Sequence, residues 1–230
     1  MVQASGRRVL AGVLGAVLLG LGGCSSGRSS TKVDEELLAR VPPEDMEEVH
    51  KARLTQSKAV DETTRAQVSL EDAKRDRDVA RSNLEAAKAR READESALLA
   101  ARATAQTPDI AGAERALREA DLELSAAEAD VDFRERVVTT REALQQMRER
   151  ELAVADAELA QTEYQALLRS GDVRAKELSG EDFAKALQEA RSEAWEQQQE
   201  VDALLQRQRQ AQARWQQLDE QARAYGGSGR

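Results

Sequence analysis

Aromatic side chains make up only 3% of the 230 residues: two each of Trp, Tyr and Phe. So few rings cannot fill the core of a compact domain of this length, because aromatics bring the largest buried area per residue. A single cysteine, Cys24, excludes an intrachain disulfide. A single histidine, His50, means that any His-based triad or metal set would have to be assembled around it, and a solvated helix-face position is the plainer reading. There is no Gly-rich phosphate loop, no Cys/His ligand set and no serine elbow. Asp and Glu interleave with Arg and Lys at helical spacing, the pattern of a solvated face carrying weak pairs. No catalytic residue, metal or cofactor is expected. Basic charge is also short, with 34 Lys and Arg against 43 Asp and Glu and a formal net charge of -9. That balance argues against nucleic acid as a partner, since nucleic acid wants a basic face. It argues equally against purely electrostatic adhesion to anionic lipid.

What the chain does have is charge and small apolar residues in long unbroken stretches. Charged residues reach 33%, alongside abundant Ala, Glu, Gln and Arg, a composition that suits long helices and coiled coils. Three prolines serve as punctuation. Val33 to Arg40 predicts a brief helix, interrupted by Pro42-Pro43. Pro43 with Glu44, Asp45, Glu47 and Glu48 predicts a helix start, with Pro in the first turn and acids at the positive end of the dipole. Nothing breaks the pattern until about Thr104. Thr107-Pro108-Asp109 predicts a second start, with Thr107 as its cap, and the stretch runs to about Leu168. Ser170-Gly171 ends it, and Ser179-Gly180-Glu181-Asp182 opens a third helix to about Ala224. Residues 226–230 read as a disordered tail.

Heptad rows run through all three stretches. In the first, Ala recurs at 52, 59, 66, 73, 80, 87 and 101, with Asp94 interrupting. A companion row holds Leu70, Leu84 and Leu98, broken by Gln56, Thr63, Arg77 and Arg91. In the second, Ile110, Leu117, Leu124, Val131, Val138, Gln145, Leu152 and Leu159 form a large row. Its partner is Ala113, Ala120, Ala127, Arg134, Arg141, Arg148 and Ala155. Folding back near 105–108 sets Ala73 against Val138, Ala87 against Leu124, Leu98 against Ala113 and Leu84 against Ala127. Small faces large, as an interdigitated seam requires. The poor layer is Arg77 against Arg134, which is expected to splay into water. The third helix has a row of its own: Phe183, Leu187, Ala190, Ala194, Val201, Leu204, Ala211, Trp215, Leu218, Ala222 and Tyr225. It is expected to cover part of the Ala-rich seam. The fold class is therefore all-α: a long antiparallel coiled-coil hairpin over 43–168, with a linker and third helix over 169–225 packed on or beside it. Trp195 lies just off the third row; half-buried packing is its default reading, and an exposed partner anchor is the alternative.

The beginning of the chain has the three zones of a secretory signal. Arg7 and Arg8 form a positive front, Val9 to Leu21 is an apolar run of roughly thirteen residues against the about twenty that a spanning helix needs, and small residues follow. Leu21-Gly22-Gly23-Cys24 resembles the lipobox of bacterial lipoproteins, an apolar residue and two small ones before a cysteine. The resemblance covers about the first tenth of the chain. It implies cleavage of residues 1–23, diacylglycerol on the Cys24 thiol and a membrane held through that lipid. Residues 24–42 would then be a lipidated tether, its Ser25 to Lys32 part flexible by composition. Ser25, where an Asp would direct retention in the inner membrane, implies the outer membrane and its periplasmic face.

The functional expectation is a non-enzymatic, lipid-anchored envelope protein: a spacer, scaffold or binding stalk whose distal surface is the turn, Thr104, Ala105, Gln106, Thr107, Pro108 and Asp109. The alternative is a regulator or adaptor that recruits or activates an envelope enzyme or transport complex through that tip. The hairpin is similar in architecture to those of periplasmic efflux-pump adaptors. Those embed their hairpin between β-rich halves, which this chain lacks, so no adaptor residue is carried over. A holdase-like chaperone is a third class. The protein partner is unknown from sequence, and a second copy of the chain is among the candidates.

Overall fold

The computed structural model describes residues 32–227, and among these every regular element is helical. The order is α1 (Glu35–Leu38), a 3-10 turn (Pro43–Asp45), α2 (Glu47–Thr104), α3 (Thr107–Arg169), a second 3-10 turn (Val173–Glu177) and α4 (Gly180–Gly227). The signal segment 1–23, Cys24, the chain to residue 31 and residues 228–230 lie outside the described residues.

Helices α2, α3 and α4 run 58, 63 and 48 residues, so the hairpin is roughly 90 Å long at about 1.5 Å per residue. They pack antiparallel in sequence, α2 on α3 and α3 on α4, with no comparable contact between α2 and α4. The central helix, α3, is therefore the shared one.

The α2–α3 seam follows the heptad rows. Leu70, Ala73 and Val138 are buried in one cluster, the pairing that the sequence register predicts. Thr63 Oγ1 donates to the Arg148 carbonyl and Gln56 Nε2 to Asp156, which extends the same register toward the base. Arg91 meets Asp121, and Arg102 meets Glu114, toward the turn. Every member of the α2 rows is buried or half-buried. The Arg77 and Arg134 layer departs from expectation. Neither side chain splays into water: both are largely covered, Arg77 bonding Asp78 and Arg134 bonding Asp130 and Asp76. Neighbouring carboxylates compensate the charges in place, which a tally of facing arginines alone does not reveal.

The third helix corrects a second expectation. It does not lie over the Ala-rich seam between α2 and α3. It packs on a separate row of α3, in which Ala126, Phe133, Thr140 and Met147 recur at heptad spacing with Ala129 and Ala143 beside them, all buried. Trp215 stacks on Phe133 and Phe183 on Tyr164, while Val201 closes a cluster with Ala143 and Met147. Thr140, buried among apolar side chains, donates its hydroxyl to the Arg136 carbonyl of its own helix, so the seam buries no unsatisfied hydroxyl. All eleven residues of the α4 row predicted from sequence are buried or half-buried.

The ends are built differently. At the turn, Ala105 adopts the left-handed conformation (φ 55°, ψ 20°), and its N–H donates to the Arg102 carbonyl. Gln106, extended, precedes α3 and makes no side-chain cap bond. Thr107 is thus the first helical residue and not the cap, because the reversal is made by Ala105, and Pro108 needs no N–H partner in a first turn. At the opposite end, the base, α3 stops at a Schellman arrangement: Gly171 (φ 74°) donates to Leu168 and Asp172 to Leu167. Val33, Leu38, Val41, Val49, Ala166, Leu167, Ala175 and Phe183 form the base core. Residues 33–42, read from sequence as part of a tether, are folded onto that core. Pro43 opens a 3-10 turn, and α2 proper begins at Glu47. At the C-terminal end, Gly226 and Gly227 continue α4, where the sequence predicts a tail from 226 onward.

Candidate functional site

The reversal brings Thr104, Ala105, Gln106, Thr107, Pro108 and Asp109 together, and all six are exposed. Thr104 Oγ1 is turned back onto the Ala101 carbonyl, and the Asp109 N–H donates to the Gln106 carbonyl. Gly226, near the end of α4, stands beside Glu119. Among the described residues, the hairpin beyond that level, about 18 Å at helical rise, is therefore two helices only. Its composition also changes. From Ser96 to Ala113 the only charged residues are Arg102 and Asp109, and Arg102 is engaged by Glu114. Leu99, in the same segment, is 64% exposed. The tip offers small side chains, hydroxyls and an exposed leucine, which fit surface contact and provide no nucleophile–base pair.

The stalk below is saturated with ion pairs. Arg53–Glu163, Arg81–Glu135 and Arg90–Glu123 bridge α2 to α3, and Arg150–Glu193 and Arg191–Glu158 bridge α3 to α4. Apart from Arg53–Glu163, whose carboxylate is largely covered, these are exposed pairs worth about 0–1 kcal/mol each, so they align helices more than they stabilise them. Between α2 and α4, over α3, lies an open groove of about 400 Å³ bordered by Glu119, Glu123, Asp130, Trp215 and Asp219. Its acids are not free: Glu123 pairs with Arg90, Asp130 with Arg134 and Asp219 with Arg223. Sequence reasoning missed this groove, because heptad rows record which residues touch and not the space left between non-adjacent helices.

Trp195 is 64% exposed, which overturns its half-buried reading; it stands outside the α4 row that faces α3. His50 is exposed on α2. Among the described residues no cluster of three or more His, Cys, Asp or Glu could hold a metal ion, and no helix is long and apolar enough to cross a membrane. Three carboxylates have displaced pKa values; the exposed Glu47 is lowered by its hydrogen bond to Lys51 and by that residue's charge. Asp172 is held down to about 2 by the Arg174 side chain and, secondarily, by the Arg174 backbone N–H. Burial pushes Glu163 up, against the opposing pull of Arg53. Asp172 and Glu163 belong to the base, and neither faces a cavity with a second reactive group.

The lipidation site Cys24 and the lipobox residues Leu21, Gly22 and Gly23 lie outside the described residues. No protein-family model, no curated protein and no solved structure matches the chain.

Proposed function

We propose that this chain is a non-enzymatic, lipid-anchored envelope protein that acts as a coiled-coil spacer, scaffold or binding stalk, held through lipid on Cys24 in the outer membrane and facing the periplasm. The observation that carries this reading is the polarity of the hairpin. The described chain enters at the base, where Val33 joins the core, and the exposed, nearly uncharged turn lies at the far end of α2 and α3. An anchor at Cys24 would thus hold one end, and the tip would stand tens of ångströms away. Photo-crosslinking in cells from Gln106, with the exposed Gln67 as control, tests it. Self-adducts from both positions, or an unchanged pattern, fit a spacer. If removing the protein leaves every envelope complex intact, and matched heptad deletions in α2 and α3 have no effect, the reading fails.

The second reading is a regulator or adaptor working through the tip. It is favoured by the abrupt loss of charge between Ser96 and Ala113 and by the tip's extension beyond α4. A single protein captured from Gln106 and not from Gln67 would decide for it.

A further inference from the structure

We infer that the base of the stalk is a membrane seat: Val173, with Lys32, Arg40 and Lys176 around it, rests on the phospholipid headgroup interface beside the lipidated cysteine. The inference rests on the anchoring proposed above and adds a surface to it.

Three observations point there. First, the last turn of α3 and the connection that follows it carry two exposed aliphatic side chains, Leu168 at 47% and Val173 at 73%. Apolar groups at an end that no other described element covers have a natural place in the headgroup boundary. Second, Lys32, Arg40 and Lys176 are exposed and make no ion pair among the described residues, whereas most of the stalk's arginines are paired. These three flank buried members of a single cluster, Val33, Val41 and Ala175, which gathers them at one end. Arg40 lies close enough to Asp172 to act on its carboxylate. Third, the chain leaves the described structure at this same end. Eight peptide steps separate Cys24 from Lys32, a reach of at most about 28 Å, so an acylated Cys24 holds the base near the bilayer whatever path those residues take.

The net charge of the chain does not drive this seat. Glu36, Glu44 and Glu177 share the base and are exposed, so the contact is apolar, with individual cations directed at phosphates. The occupant is therefore the interface itself and not specifically an anionic lipid.

The test uses the full lipidated chain in vesicles of phosphatidylethanolamine and phosphatidylglycerol. A Val173→Cys variant carries an environment-sensitive fluorophore, Gln106→Cys is the reference, and intact mass reports the lipid on Cys24, whose thioether leaves no free thiol to label. The expected result is a blue-shifted emission from position 173, quenched several-fold by lipid-borne quenchers, with position 106 unaffected. Arg40→Glu combined with Lys176→Glu should return position 173 toward water without loss of helix content. Equal access of an aqueous quencher to 173 and 106, with the lipid mass present, would overturn the seat and leave the anchored stalk standing. A chain without the lipid mass would overturn both.

Discussion

Trp215 lies flat on Phe133, with ring centroids 5.5 Å apart and planes within 6°, and the Arg134 guanidinium sits over both rings at 5.8 and 5.2 Å. This stack fastens the far half of α4 to α3. It also explains how an arginine is tolerated in a seam layer: the rings take its face while Asp130 takes its Nε. Phe133→Ala is expected to lower stability by about 3 kcal/mol and Trp215→Ala by a similar amount. A double-mutant cycle should return a coupling of about 0.5–1.5 kcal/mol. Denaturant unfolding measures all three, and hydrogen exchange should show α4 loosening from its C-terminal end while α2–α3 stays protected.

The α2–α3 register has an equally direct test. Ala73→Leu pushes a larger side chain toward Val138 in a packed layer and should cost about 1–3 kcal/mol. Adding Val138→Ala makes room on the facing helix, so the pair should be less destabilised than the sum of the single changes, by at least about 0.5 kcal/mol. Strict additivity in thermal or denaturant melts would contradict this register.

Two glycines should respond in opposite directions. A Cβ on Gly180 would come within 2.9 Å of the Tyr164 ring, which is itself stacked on Phe183 with 5.0 Å between centroids. Gly180→Ala is therefore expected to destabilise by about 1–2 kcal/mol. Gly112 has nothing within 4 Å of the same added atom and is helical, so Gly112→Ala should stabilise by about 0.5–1 kcal/mol. Paired melting curves check both signs.

Asp172 should titrate near pH 2 instead of its ordinary 3.8, because the Arg174 side chain, and after it the Arg174 backbone N–H, favours the carboxylate. A depressed folded pKa contributes stability that is complete above about 3.8 and is lost as pH falls toward about 2. Carboxyl chemical shifts followed by NMR measure the midpoint. Arg174→Ala should bring it back toward the ordinary value, leaving the backbone donor and the charge of Arg40.

Much of the architecture was legible before any coordinates, because a heptad row is a local record of a long-range contact. The alternation of Ala73 with Leu70, and the matching Val138, carry both the helical period and the size complementarity that make an antiparallel register. The candidate tip followed from the same pattern, since its position is set wherever the helical period breaks between Thr104 and Pro108. The cap at Thr107 was misread because the period marks where a helix stops, not which residue absorbs the reversal; Ala105 does so through a left-handed backbone angle.

By itself, then, the sequence determined the three helices, the faces that α2 and α4 bury and the antiparallel sense of the hairpin, all of them consequences of local periodicity. Only the tertiary structure decided which row of α3 receives α4. Two apolar rows on one helix compete for the same partner, and the stack of Trp215 on Phe133 and of Phe183 on Tyr164 settles the choice through side-chain shape. It also decided that residues 33–42 close the base, since short segments with three buried aliphatics have no period to read. The exposure of Trp195 and Val173 belongs to the same class, because exposure depends on where neighbouring helices end.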